Sequence, residues 1–234
     1  MPMKRILMGA TAALVLCGTA EAGNHRGWYV GIEAGANWID DTLFVPDKSP
    51  TTKINAQFDT GWAALGTAGY SWGNWRLELE LGYRANDFSF FAGKPPTISG
   101  EFNEFSQMMN IAYDINLGSK VSLSLGAGAG GDYILYTDKG GHGFELDDKD
   151  YVLAWQLLAG LNYALSDRTD LVLNYRYFNA QSPEFNETVA AFPHSDAFDD
   201  VVKHTVTIGL RYDLSPDEVA PLPPEASIDL ILAC

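Results

Sequence analysis

The stretch 75-WRLELELGYR-84 sets a charge or a glycine between nearly every pair of apolar residues. In an extended chain successive side chains point to opposite faces. Trp75, Leu77, Leu79, Leu81 and Tyr83 therefore share one side, and Arg76, Glu78, Glu80, Gly82 and Arg84 share the other. The same period of two recurs downstream, while no heptad and no long 3.6-residue stripe appears after residue 22. Strands are predicted over 28–40, 54–72, 75–91, 102–117, 120–137, 151–165, 169–180 and 201–214. Several are far longer than the ~5 to 6 residues usual in sheets of soluble proteins.

The connections alternate between long (41–53, 92–101, 138–150, 181–200) and short (73–74, 118–119, 166–168). Short turns at one end and long loops at the other, with an even strand count, describe a membrane-spanning barrel. The expected fold is all-β, an eight-stranded antiparallel up-and-down transmembrane β-barrel occupying residues 23–214.

A soluble barrel would turn its apolar face inward. The interior of eight strands is only wide enough to be filled by side chains, and the apolar set is too bulky for it. That set holds Leu77, Leu79, Leu81, Leu123, Leu125, Leu157, Leu161, Val206, Ile208 and Leu210. The opposite set, rich in Gly, Ser, Asn and Thr, suits a narrow lumen. The apolar residues are thus expected to face lipid. Aromatics agree: Trp72, Trp75, Tyr163 and Tyr212 fall near the short turns, and Trp38, Phe88, Phe90, Tyr136 and Tyr151 near the long loops. Two girdles about 9 to 11 tilted residues apart match a bilayer.

The first residues, MPMKRILMGATAALVLCGTAEA, carry Lys4 and Arg5, a short apolar run and small residues at Ala20 and Ala22. This reads as a cleavable signal peptide over 1–22, because a helical anchor needs ~20 apolar residues. Cys17 follows Leu16, where a lipoprotein signal would place a small residue. After cleavage Cys234 is the one remaining cysteine, so no internal disulfide is expected. The net charge of −15 argues against nucleic acid, whose phosphates are met by Lys and Arg. Its acids gather in the long connections.

The segments GWYVGIEAGANW (27–38), FDTGWAALGTAGYSW (58–72) and VTIGLRYDL (206–214) resemble the OmpA-like outer-membrane β-barrel family of Gram-negative bacteria. The resemblance implies a bacterial outer-membrane location and contact with outer-membrane lipid and lipopolysaccharide. It also implies that Thr207 to Leu214 serve as a terminal-strand signal for the barrel assembly machinery. Longer members continue through a Pro-rich linker into a peptidoglycan-binding domain. Here SPDEVAPLPPE (215–225) is followed by nine residues, so 215–234 reads as a short Pro-rich periplasmic tail.

Glu33, Glu78, Glu80 and Asp114 are expected inside the barrel with Arg76, Arg84, Arg176 and Arg211, and Lys203 nearer the outer rim. Buried ions must be paired, so a lumen salt-bridge network follows. It acts either as a structural plug, the preferred reading, or as a gate for small ions. GAGAGG (126–131) satisfies a dinucleotide fingerprint but lacks the βαβ context; its inward glycines leave room for side chains from neighbouring strands. His142 and His194 lie in acidic loops, and ELDDKD (145–150) lacks the spacing of a calcium loop. No metal or other cofactor is expected. A lipid-modifying enzyme would need a serine activated by a histidine; the neighbouring His194 and Ser195 make no plausible dyad. The expectation is a non-enzymatic envelope protein whose four long loops meet an extracellular ligand. A narrow porin-like channel and a lipid A-modifying enzyme are the alternatives.

Overall fold

Gly73 and Asn74 reverse the chain in a two-residue turn, with Gly73 at φ +88°. Glycine reaches that left-handed region without a Cβ penalty. The computed structural model describes residues 26–40, 42–45, 54–90, 99–139, 145–181, 184–189, 192–198 and 200–214. The expected signal peptide and Pro-rich tail lie outside the described residues.

Eight strands form the barrel wall: β1 (Arg26–Ile39), β2 (Gly61–Trp72), β3 (Trp75–Phe90), β4 (Ser99–Asn116), β5 (Val121–Lys139), β6 (Glu145–Ser166), β7 (Thr169–Ala180) and β8 (Val201–Asp213). Each pairs antiparallel with its sequence neighbours, and β1 closes the cylinder against β8 from Tyr29↔Asp213 to Ile39↔Lys203. Over the span where all eight strands pair, closure removes the sheet edges and satisfies the backbone groups along the wall. The described residues contain no helix long and apolar enough to cross a membrane.

The wall is uneven in height. β5 and β6 pair as far as Lys139 and Glu145, whereas β7 ends at Ala180 and β8 starts at Val201. Two long connections also contain structure that periodicity alone did not predict. The segments Thr42–Val45 and Ile54–Phe58 pair with each other, Glu184–Val189 pairs with Phe192–Phe198, and Ala197 and Phe198 pair with Val45 and Phe44. Ile54–Phe58 continues onto the C-terminal end of β3 through Ala56↔Phe90 and Phe58↔Phe88. The strand expected over 54–72 is therefore two strands, interrupted at Asp59 and Thr60. TLFV and INAQF carry the β-branched and aromatic residues that favour pairing, but each is too short to show an alternation.

The cylinder's interior is mostly polar. An apolar cluster nonetheless occupies the end that carries the long connections, formed by Ile39, Phe102, Met108, Ile134, Val152, Phe178 and Val201 with two alanines.

Candidate functional site

The even-numbered residues of β3 point inward. Arg76, Glu78, Glu80 and Arg84 are buried, whereas Leu77, Leu79, Leu81 and Tyr83 are exposed, Leu79 at 52% against 0% for Glu80. The same holds around the wall. Leu125, Leu157, Leu161, Val206, Ile208 and Leu210 are exposed, and Leu123 is half-buried on the same side.

Near the short turns Arg76 Nη1 lies 3.1 Å from Glu78 and its Nε 3.0 Å from Asp114. Tyr29 donates its hydroxyl to Glu78 at 2.6 Å. Arg211 donates to Asp170 at 2.6 Å and stands 4.0 Å from Asp114. These side chains come from β1, β3, β4, β7 and β8, so the cluster ties much of the circumference together.

At mid-height Arg176 reaches across the lumen. Its Nη1 donates to Glu33 at 2.9 Å and its Nε to Glu80 at 3.0 Å. Glu80 also accepts from Gln156 at 3.1 Å and Asn110 at 3.4 Å, and Asn174 donates to Glu33 at 3.0 Å. Nη1 and Nη2 together grip Glu33 while Nε holds Glu80, a use of the planar donor fork for which arginine is suited. Gly128 matters here: a Cβ at that position would lie 1.9 Å from Asn110 Oδ1, so the missing side chain is the space Asn110 fills. Below the Arg176–Glu80 brace lies a small cavity of about 30 Å³ bordered by Arg76, Glu78, Asn162 and Arg211.

Towards the long loops the chemistry changes. Arg84 donates to Ser106 at 2.7 Å and Thr205 at 3.4 Å, and its guanidinium stands 4.5 Å from the centre of the Phe178 ring. Hydroxyls and an aromatic face hold this arginine; no described carboxylate lies within salt-bridge distance of it. Lys203 contacts the same ring at 4.8 Å, donates to Asp132 at 2.7 Å and to Glu104, and is fully buried.

Sequence reasoning missed Glu104, Asp132 and Asp170. Instead of four carboxylates facing four arginines, the described lumen buries seven (Glu33, Glu78, Glu80, Glu104, Asp114, Asp132, Asp170) against Arg76, Arg84, Arg176, Arg211 and Lys203. Parity was the available signal. Glu104 is in phase with Asp114, Asp132 with the inward glycines, and Asp170 with Arg176.

The outward aromatics form two bands. Trp72, Trp75, Tyr163 and Tyr212 are exposed near the short turns, joined by Trp28, Tyr70 and Tyr113. Trp28 packs edge-on against Tyr70 at 5.3 Å and Trp75 against Tyr113 at 4.9 Å. Trp38 and Tyr151 are exposed near the other end, with Trp62, Trp155 and Tyr175. Phe88, Phe90 and Tyr136 have side chains outside the described residues. His204 faces outward beside this second band, 2.7 Å from the Tyr175 hydroxyl and 3.4 Å from Asp40. His142 lies outside the described residues, as do the side chains of His194 and Ser195.

Residues 8–213 match the family of the outer membrane protein beta-barrel domain. Among solved structures the chain is similar to the outer membrane protein OprG from Pseudomonas aeruginosa, with 13% identity, a TM-score of 0.56, and coverage of 81% of this chain and 98% of that one. It is also similar to the outer membrane protein AlkL in lipid bilayers, with 17% identity, a TM-score of 0.56, and coverage of 93% of this chain and 100% of that one. At these identities the likeness speaks to fold alone. No curated protein matches at a significant level.

Proposed function

The chain belongs to the outer membrane protein β-barrel family, and we propose that within the bacterial outer membrane it is a braced, non-enzymatic scaffold that holds its four long connections outside the cell. In this reading residues 1–22 direct export, and the apolar outward face meets acyl chains and lipopolysaccharide. Residues Thr207 to Leu214 engage the assembly machinery. The segments 41–53, 92–101, 138–150 and 181–200 meet an extracellular ligand, since binding residues concentrate on loops carried by a rigid frame.

One observation carries the scaffold reading over a conduit. Arg176 bridges Glu33 on β1 and Glu80 on β3 from the far wall, and Glu80 has no exposed surface. A passing ion would have to part these pairs in a low-dielectric interior, where removing one partner costs about 3–5 kcal/mol. The cluster around Phe178 adds a second, apolar seal above. The cavity below the brace favours the second reading, a narrow channel, only if that brace opens.

Planar-bilayer recording of the purified full-length protein tests this. The wild type is expected to give no resolved current steps, and Arg176→Ala with Glu80→Ala is expected to give them. Steady wild-type conductance would replace the scaffold with the channel.

A further inference from the structure

Towards its N-terminal end β6 has a strand neighbour on one side only. β5 pairs with it without a break from Val121↔Tyr163 to Lys139↔Glu145, whereas β7 pairs with it only from Ala154↔Ala180 onward. The last rung on the β7 side is Gln181 N, which donates to Leu153 O at 2.9 Å. Beyond it, at residues 145–152, no described strand continues the ladder on that side. The strand Glu184–Val189 approaches β6, yet it is itself the end of the sheet and pairs, among the described residues, only with Phe192–Phe198. Two strand edges thus face each other with no ladder between them.

Backbone groups of successive residues in a strand point to opposite sides, so two contacts fix which ones face the gap. Ala164 N points towards β5, donating to Lys120 O at 2.9 Å, and Leu153 O points away from it. The β5 ladder is unbroken above them. The N–H and C=O groups of Glu145, Asp147, Lys149 and Tyr151 therefore turn to the gap. Tyr151 agrees: its N–H donates to Asp150 Oδ1 at 2.8 Å, a side chain standing where a neighbouring strand would offer a carbonyl.

Such an edge is a template for one more strand, and an extended peptide laid along it gains main-chain hydrogen bonds over its whole length. The sequence sets the sign of the partner. ELDDKDYV (145–152) carries Glu145, Asp147, Asp148 and Asp150 against Lys149, and EFNETV (184–189) adds Glu184 and Glu187 with no base. Like charges on facing strands oppose pairing, so each acidic edge favours a basic strand over the other. We propose that the edge of β6 at residues 145–152 accepts a basic, extended peptide segment of another protein as an added strand, hydrogen-bonded through Glu145, Asp147, Lys149 and Tyr151. This rests on the reading that the long connections face outside and bind a ligand, and it names the chemistry of that ligand.

The test titrates the full-length protein in dodecyl maltoside micelles with a dye-labelled short peptide of alternating lysine and valine. Saturable binding is expected, with amide hydrogen exchange at Lys149 and Tyr151 slowed at least tenfold and that of Asp148 and Asp150, whose N–H groups face β5, unchanged. An analogue of equal charge, methylated at its backbone nitrogens, is expected to bind at least tenfold more weakly. Lys149→Pro removes one N–H from the edge at a position where the β5 ladder does not use it. It is expected to weaken binding at least fivefold although it makes the edge more acidic, with heat-dependent gel mobility unchanged. No binding, equal binding of the methylated analogue or by the folded proline variant, or slowed exchange only elsewhere would overturn the proposal. Cross-linking of position 149 to a second copy in peptide-free micelles would also overturn it, giving the edge to self-association. Labelling of Lys149→Cys by an impermeant maleimide on intact expressing cells separates the two readings: labelled cells without peptide binding sink strand addition alone, and unlabelled cells sink the outward placement as well.

Discussion

At the scale of single residues, the interior depends on which partner an ion keeps. Arg176 neutralises Glu33 and Glu80 together, so Arg176→Ala leaves two buried carboxylates without their cation. A loss of about 3–5 kcal/mol is expected, measurable as a lower urea midpoint for unfolding from lipid vesicles. Replacing all three residues by Met, Gln and Gln should recover much of that loss, because the uncompensated charge is gone. Lys203→Met should behave like Arg176→Ala, since Glu104 and Asp132 converge on the ammonium, and adding Glu104→Gln and Asp132→Asn should restore stability. The sequence disclosed this chemistry unevenly. Charges on β3 stand out because leucines alternate with them, whereas Glu104, Asp132 and Asp170 sit in mixed surroundings where only counting in twos from a known inward residue reveals their side. The exchange of ionic for cation–π support at Arg84 was not legible, because Phe178 comes from a strand about ninety residues away in sequence.

At the scale of elements, alternation set which face of each strand turns outward, and turn residues set where strands reverse. A substitution at the middle of β3 separates the two faces. Leu79→Arg places a cation on the outward side and is expected to cost about 2–4 kcal/mol in the bilayer, read by the same urea titration, whereas Leu79→Ile should be nearly neutral. Periodicity failed where the register slips. A bulge inserts one residue and shifts the parity, here where Asp59, Thr60 and Gly61 stand opposite only Asn86 and Asp87; the five residues of Ile54–Phe58 are too few to show the change of phase, so 54–72 looked continuous when it is broken at Asp59 and Thr60. The paired segments within 41–53 and 181–200 escaped for a different reason. Four to seven residues do not establish a period, and the pairing that joins the two connections, Val45 and Phe44 with Ala197 and Phe198, links segments far apart in the chain.

At the scale of the whole molecule, the barrel is a cylinder with an apolar exterior and ions within. The girdles fix its height: Trp75 to Tyr83 on β3 and Tyr151 to Tyr163 on β6 span about 20 to 30 Å at ~3.3 Å per residue and ~40° tilt. That fits the apolar band of an outer-membrane barrel, about 25 Å tall. Closure should also resist detergent, so the unheated protein is expected to migrate differently from the heated chain on a gel. The most direct measurement of this inverted arrangement is a nitroxide scan of residues 76 to 83 in reconstituted vesicles, reading collision with lipid-soluble oxygen at each site. Labels at 77, 79, 81 and 83 are expected to be mobile and oxygen-accessible, and those at 76, 78, 80 and 82 immobilised and shielded. The opposite phase, with the leucine positions shielded and the glutamate positions open to a water-soluble relaxant, would contradict the account.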